Sequence, residues 1–372
     1  MRAATPVTLR KNLARALRQG HPWVFRDALD RPPALADGAL VQVRSRDGRP
    51  VAVGFWDARS PIAVRVLEAG PLPDPEAAVR ERIRAALARR RERLDPARTN
   101  AFRWVHGEAD RLPGIHVDLY GDVAVVRFDG AGARAFYRGR VEEAAPLRAV
   151  IDREGGRGPD LVVRENGLLF EVSPGVGGKG GLFLDQRENR EEVERRASGR
   201  SLLNLFGYTG GFALYAARGG AGSTDTVDTA RPALAAARRN FERNGLPLDR
   251  AAFHAADVFE FLAAARGRRW DLVISDPPSF ASSKDARERA RRAYTRLHRM
   301  AAAVTAPGGL LCAASCSSHF GREEFLASVE AGARDAGRRF TLETMRGAGF
   351  DHPVLAAFPE GDYLKFAIGT VA

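Results

Sequence analysis

The stretch that most constrains this chain is residues 201–245, which carries the successive signals of a nucleotide-binding half-sheet. An apolar run (Leu202, Leu203, Leu205) enters a glycine turn (Gly207, Gly210, Gly211), a helix-like segment follows, and a second run ends on Asp228. Strand, glycine turn, helix and strand with a terminal acid is the order in which a Rossmann-type sheet holds a ligand at the carboxyl ends of its strands. A glycine turn alone is a weak signal. Here it gains weight because Asp257 and the run Asp276-Pro277-Pro278-Ser279-Phe280 each follow a further strand-like segment at the spacing of a doubly wound sheet.

At 372 residues the chain exceeds what one hydrophobic core usually supports, so two or three domains are expected. No apolar run approaches the ~18 residues of a membrane span. The first residues carry Arg2, Arg10, Lys11, Arg15 and Arg18 in place of an apolar leader, so a cytoplasmic location is expected. Two cysteines, Cys312 and Cys316, are too few for a disulfide framework and suit a reducing compartment. The net charge of +12 favours a polyanionic partner. Residues 1–70 hold 12 basic against 6 acidic side chains, a net +6, so positive charge is densest at the amino end. Arginine outnumbers lysine 54 to 4, which singles out Lys11, Lys179, Lys284 and Lys365.

Residues 7–68 open with a helix-like segment at 12–19 and the run His21-Pro22-Trp23-Val24-Phe25. Alternating runs follow at 40–43, 51–55 and 62–66, with Asp47-Gly48 as a hairpin turn, which predicts a small β-barrel-like domain over residues 1–70. Trp23 and Phe25, taken as lone aromatics, read as core. After a proline-rich joint at 72–75, residues 76–94 predict a helix with Val79, Ile83, Ala86, Leu87 and Arg90 on one face. Arg89, Arg90, Arg91 and Arg93 at its carboxyl end suit the helix dipole and read as a solvated end. Strands at 102–105, 115–119 and 123–128, a turn at 110–114, a helix at 133–143 and a hairpin at 161–172 make an α+β middle domain, residues 71–178, with no visible catalytic group. His106 and His116 are isolated in sequence, and no His/Cys/Asp spacing reads as a metal site.

The glycine-rich stretch 174–181, with Lys179, reads as the joint into a last domain, residues 179–372. There a helix runs from about 183 to 196, and further helices are expected at 232–244, from 257 to 265, at 287–304 and at 323–336. They alternate with strands at 251–253, 271–275, 309–315 and 363–371. Asp228 follows the glycine turn by about twenty residues, where a carboxylate accepts from both ribose hydroxyls. Nicotinamide dinucleotides and S-adenosylmethionine share that ribose. The turn Phe206-Gly207-Tyr208-Thr209-Gly210-Gly211 does not supply the G-x-G-x-x-G of a pyrophosphate site, so S-adenosylmethionine is favoured over a dehydrogenase cofactor. Asp257 is then placed for the adenine amino group, and the Asp-Pro-Pro turn for a substrate base.

Several motifs in order carry a family resemblance. They are the run 21–25, residues 110–114, Phe183-Leu184-Asp185-Gln186-Arg187, residues 203–212, Val227-Asp228-Thr229, Asp276-Pro277-Pro278, Ser315-Cys316-Ser317, Asp351-His352-Pro353 and Pro359-Glu360-Gly361. Over nearly its whole length the chain resembles the PUA-containing class I ribosomal RNA methyltransferases, close to the bacterial family that makes 5-methylcytosine in large-subunit (23S) ribosomal RNA. The resemblance implies an α/β architecture with a carboxyl-terminal Rossmann-like methyltransferase sheet, an amino-terminal PUA-like β-barrel that binds structured RNA, and an α+β middle domain. It implies S-adenosylmethionine as cofactor and RNA, large-subunit rRNA or its precursor particle, as partner, with no membrane and room for a homodimer. Cofactor contacts are expected from Phe183, Gln186, Asn204, Phe206, Tyr208, Thr209, Gly210, Asp228, Asp257, Val258 and Asp276. Against the usual acid-x-Gly-x-Gly-x-Gly turn, Asn204, Phe206 and Tyr208 stand at the acid and the first two glycines, and Gly210 at the third.

The resemblance makes Cys316 the nucleophile, and the chemistry adds Asp276 as the second catalytic residue, at the ring nitrogen and amino edge of the base. Carbon 5 of cytosine is a poor nucleophile until a thiolate adds at carbon 6, so that chemistry needs a cysteine. Cys312, inside a strand, reads as a buried hydrophobe. Two alternatives stay open: a guanine (N7 or amino-group) methyltransferase, which residues 276–284 also resemble, and a noncatalytic RNA-binding assembly factor on the same scaffold.

Overall fold

The computed structural model describes residues 4–31, 33–156, 158–174, 182–280 and 287–372. The glycine-rich joint at 175–181 with Lys179, and residues 281–286 with Lys284, lie outside the described residues. Contacts gather the chain into two compact units. The first is Met1–Leu161, Ser173–Gly178 and Phe350–Gly361, and the second is Val162–Val172, Lys179–Gly349 and Asp362–Ala372. No helix among the described residues is long and apolar enough to cross a membrane.

The first unit begins with β1 (Thr5–Leu9), α1 (Ala14–Arg18), β2 (Trp23–Phe25), β3 (Leu29–Asp30), β4 (Leu40–Arg44), β5 (Pro50–Trp56) and β6 (Ile62–Ala69). These strands form one six-stranded sheet in the order β2-β6-β5-β4-β1-β3. Gly48, at φ +80°, turns the β4–β5 hairpin. Strand alternation corrects one expectation: Val24 points into the core, whereas Phe25 is 43% exposed and Trp23 is half-buried. The Trp23 indole N–H donates to Glu108 Oε1 at 2.8 Å, and its ring meets Phe358 edge-on at 4.5 Å.

The unit continues with α2 (Pro75–Arg91), β7 (Ala101–His106), β8 (Ile115–Tyr120), β9 (Val123–Phe128), α3 (Ala131–Tyr137) and β10 (Ala149–Asp152), with a four-stranded sheet in the order β10-β9-β8-β7. Asp74 caps α2 by accepting from Ala77 N. The solvated reading of its arginine end is corrected at Arg90, which is buried and donates through Nη1 and Nη2 to Asp110 Oδ1 and Oδ2 at 2.7 Å each. A buried guanidinium needs such a fork-on-fork partner, and Asp110 is remote in sequence. The helix expected at 133–143 ends at Tyr137, because Arg138 is extended and Gly139 takes φ +81°. His106 and His116, isolated in sequence, lie 5.5 Å apart between ring centroids, and His352 lies 5.1 Å from His106.

The second unit opens with the hairpin β11 (Leu161–Glu165) and β12 (Leu168–Val172), turned by Asn166 and Gly167, both at positive φ. Then come α4 (Arg187–Arg195), β13 (Ser201–Leu205), α5 (Gly211–Arg218), β14 (Ser223–Asp228), α6 (Arg231–Arg243), β15 (Ala251–Ala255), α7 (Val258–Ala264), β16 (Trp270–Ser275), α8 (Arg287–Val304), β17 (Thr305–Ser315), α9 (Arg322–Asp335), β18 (Phe340–Arg346) and β19 (Lys365–Val371). The sheet order is β15-β14-β13-β16-β17-β19-β18, parallel from β15 to β17, with β19 antiparallel between β17 and β18. Leu203, Leu205, Val227, Val273 and Leu311 are fully buried on one face against α7, α8 and α9. Each such side chain contributes roughly 1.5–3 kcal/mol of burial. Helix α8 meets them through Ala290, Tyr294, Leu297, His298, Ala301 and Ala302, a helical spacing. Strand β18 escapes the sequence reading because it is a polar edge strand, largely exposed.

Candidate active site

The order in which strands are added reverses between the parallel neighbours β13 and β16, so the crevice at the carboxyl ends of these strands is where a doubly wound sheet takes its ligand. A pocket of about 450 Å³ opens there. Its lining includes Phe183, Gln186, Asn204, Phe206, Tyr208, Thr209, Asp228, Asp257, Val258, Asp276 and Cys316. Of the residues expected at the cofactor, Gly210 alone is not in that lining. It is the left-handed amino-terminal cap of α5, at φ +80°, and a Cβ there would lie 3.0 Å from Ala237 Cβ.

The turn keeps the backbone of a glycine-rich loop without its glycines. Phe206 (φ +57°), Tyr208 (φ +48°) and Gly210 (φ +80°) are all left-handed, at the three positions where the usual turn has glycine. Each non-glycine residue there costs roughly 1–2 kcal/mol, which the surrounding packing offsets. Gly207 is needed for space: a Cβ would lie 2.4 Å from Thr226 Cγ2 and 2.8 Å from Asn204 Nδ2. Gly207→Ala is therefore expected to lower stability by about 1–3 kcal/mol and to weaken cofactor binding, with Thr226→Ser, which removes that methyl, restoring part of the stability while the contact with Asn204 remains. Thermal unfolding and calorimetry of the single and double variants check this.

Asp228 is pinned at the end of β14, where Oδ2 accepts from Tyr208 N at 2.9 Å and Oδ1 from Ala230 N at 2.8 Å. Each oxygen keeps a second lone pair for a ribose hydroxyl. Asp257 caps α7, with Oδ1 accepting from Phe259 N and Glu260 N at 2.8 and 3.1 Å. Val258 beside it is buried and gives the pocket an apolar wall. Asn204 is 1% exposed, and neither atom of its amide has a partner among the described residues. A buried amide left so is costly, and a ligand in the pocket is the remedy.

Beneath the pocket lies a buried ion pair that spacing did not reveal. Arg190 Nε and Nη2 donate to Glu165 Oε1 and Oε2 at 2.9 and 2.8 Å, and Tyr215 OH donates to Glu165 Oε1 at 2.9 Å. Arg190 Nη2 also donates to the Phe183 carbonyl at 2.9 Å, which fixes the start of the 183–187 motif. Next to it Gln186 Nε2 donates to Asp276 Oδ2 at 3.1 Å, and Asn189 Nδ2 donates to Gln186 Oε1 at 2.7 Å.

Cys316 follows β17 and Asp276 follows β16, on adjacent strands. Burial, then the nearby Asp185, push the Asp276 carboxyl up to about 7, against the Gln186 hydrogen bond. Burial, then Asp276 and Asp185, push the Cys316 thiol up to about 11. Ser315, fully buried, shares a 2.8 Å hydrogen bond with the Tyr294 hydroxyl and accepts from Ser317 N at 3.4 Å, bracing the loop that carries Cys316. Lys365 is buried opposite Ser315 in the β17–β19 register, and its Nζ donates to the carbonyls of Ser317 and Tyr363. Burial brings that ammonium down to about 8, although Cys316 favours its charge. The scarcity of lysine was the one sequence signal for it. Cys312 lies wholly buried inside β17, and its thiol is pushed up by burial.

A seven-stranded sheet of this order with a pocket at its switch point defines a methyltransferase fold. A family model of S-adenosylmethionine-dependent methyltransferases matches residues 153–353, and a PUA-like domain model matches residues 7–69. The chain is similar to a ribosomal RNA large subunit methyltransferase of Deinococcus radiodurans, 39% identical over 94% of this chain and 93% of that one. It is similar to the ribosomal RNA large subunit methyltransferase I of Shewanella denitrificans, 34% identical over 99% and 100% of the two chains. A Streptococcus mutans protein described as a SAM-dependent methyltransferase shares the fold, with a TM-score of 0.84 at 22% identity over 98% of this chain and 100% of that one. The chain is an S-adenosylmethionine-dependent methyltransferase with a PUA-like domain. It belongs to the family of the ribosomal RNA large subunit methyltransferases. The pinned Asp228, the unpartnered Asn204 amide and the cradle over Gly207 fit the cofactor of that family.

Proposed function

We propose that this protein methylates carbon 5 of a cytosine in large-subunit ribosomal RNA, in the cytoplasm, through a covalent adduct with Cys316. In this reading residues 1–70 bind structured RNA, residues 71–178 are the α+β middle domain, and residues 179–372 carry the chemistry. Phe183, Gln186, Asn204, Phe206, Tyr208, Thr209, Asp228, Asp257 and Val258 would hold S-adenosylmethionine, with Gly210 acting through the backbone of the turn. The observation that carries the reading is the meeting of Cys316 and Asp276 in one pocket with the turn and Asp228.

Bound S-adenosylmethionine supplies an electrophilic methyl group. Burial holds the Cys316 thiol above its ordinary range, so it needs a proton acceptor, and in this reading Asp276, which lines the same pocket, takes that task. The proton passes from Sγ to the Asp276 carboxylate, Sγ bonds carbon 6, and Asp276 gives the proton to ring nitrogen 3, leaving carbon 5 electron-rich. After methylation a base takes the carbon 5 proton, the double bond re-forms as the thiolate leaves, and the proton on ring nitrogen 3 returns through Asp276 to that thiolate. A base inside a duplex cannot be reached this way, so the target is single-stranded or flipped out.

The pH dependence follows from the pair. Asp276 has a raised pKa, so below about pH 7 it holds its proton and cannot take that of the thiol. With saturating cofactor, kcat/KM is expected to rise about tenfold per pH unit up to about 7 and then level off. A profile flat between pH 5 and 8 would oppose this role for Asp276. The product itself is tested by mass mapping of modified nucleotides in rRNA from cells with and without the protein. Loss of a methylated guanine instead of a 5-methylcytosine would move the assignment to guanine.

A further inference from the structure

The methionine end of the cofactor carries an ammonium group, and the turn that usually offers it an acid has the neutral Asn204 in that place. Among the described residues, four acids line the pocket. Asp228 is aligned for ribose, Asp257 caps α7, and Asp276 is paired with Gln186 beside Cys316. The fourth is Asp185. Its Oδ2 accepts from the Tyr363 hydroxyl at 2.6 Å, and its backbone carbonyl accepts from Gly349 N at 3.1 Å. Its Oδ1 is buried and has no partner among the described residues. A buried carboxylate oxygen without a donor is costly and calls for a cation or a donor.

No described lining residue supplies that cation. Arg190 is the only basic residue among the described lining residues, and Glu165 already matches its charge through two hydrogen bonds. The charge of Asp185 is felt at both Asp276 and Cys316, so it lies close to the reacting groups, where the arm leading away from the sulfonium must also lie. We infer that Asp185 binds the ammonium of the methionine end of S-adenosylmethionine, replacing the acid that the glycine turn lacks. This rests on the S-adenosylmethionine reading of the site and not on the identity of the base that is methylated.

The test is calorimetry on the full chain without RNA, using S-adenosylhomocysteine, its deaminated analogue and 5′-methylthioadenosine, which has the adenosine and thioether without the amino acid. Asp185→Asn is expected to weaken S-adenosylhomocysteine at least about tenfold and to leave methylthioadenosine within about twofold. The wild-type chain is expected to bind the deaminated analogue at least about tenfold more weakly than S-adenosylhomocysteine, a comparison that needs no variant. Equal losses for both probes would mean that Asp185 only shapes the pocket, and unchanged S-adenosylhomocysteine affinity would leave the ammonium to another group. Either result overturns the inference. If that affinity is kept while turnover is lost, Asp185 becomes the candidate for taking the carbon 5 proton instead. None of these probes involves Cys316 or a nucleotide target, so failure here leaves the cytosine reading untouched.

Discussion

Cys316→Ala is expected to abolish methyl transfer, by about four orders of magnitude or more, while S-adenosylhomocysteine affinity stays within about twofold. The reason is geometric and chemical together. Cys316 stands after β17, beside Asp276 after β16, and its side chain is the only nucleophilic sulfur lining the pocket among the described residues. The surrounding packing does not depend on it, because Ser315 and Tyr294 brace the loop through their own hydrogen bond. Single-turnover assays with rRNA and calorimetry with the cofactor product check the two halves separately. An active Cys316→Ala chain would sink the covalent mechanism and favour guanine.

Glu165→Gln is expected to lower stability by about 3–5 kcal/mol, because it leaves the guanidinium of Arg190 buried without its counter-charge. Arg190 is 3% exposed and Glu165 is fully buried, so water cannot take the place of the lost partner. The effect reaches the site, since Arg190 also holds the carbonyl of Phe183. Replacing both partners by apolar residues, Glu165→Leu with Arg190→Met, is expected to regain much of the stability without restoring cofactor binding. Denaturant unfolding and calorimetry on the single and double variants provide the check. A loss below about 1 kcal/mol in the single variant would mean that the pair is better hydrated than its burial indicates.

Much of the candidate site was legible in sequence because a doubly wound sheet puts the carboxyl ends of its strands at one edge. Asp228 ends a strand, and Asp257, Asp276 and Cys316 each follow one, so finding the strands was enough to bring them together. Gly207 was read as a turn residue, which it is, although its reason is the close approach of Thr226 and Asn204 and not a positive φ. Phe206 and Tyr208 looked like departures from a glycine turn, and the left-handed backbone that glycine would favour is present at both. In the first unit, Arg90 was placed on the apolar face of its helix but read as solvated, since nothing local announces Asp110 as its partner.

What the sequence determined by itself was therefore the order of elements and the chemistry at the strand ends, because hydrophobic period, turn residues and strand-terminal acids are local properties. Tertiary structure alone decided which charges are paired and which are left in need of a ligand. Glu165 meets Arg190 across 25 residues, and Lys365 comes to rest opposite Ser315 only through an antiparallel return strand. Asp185 stays half-satisfied and Asn204 unsatisfied among the described residues. Burial sets those outcomes, since the pKa of Asp276 and the cost of an unpaired oxygen depend on how much water the fold removes from around them.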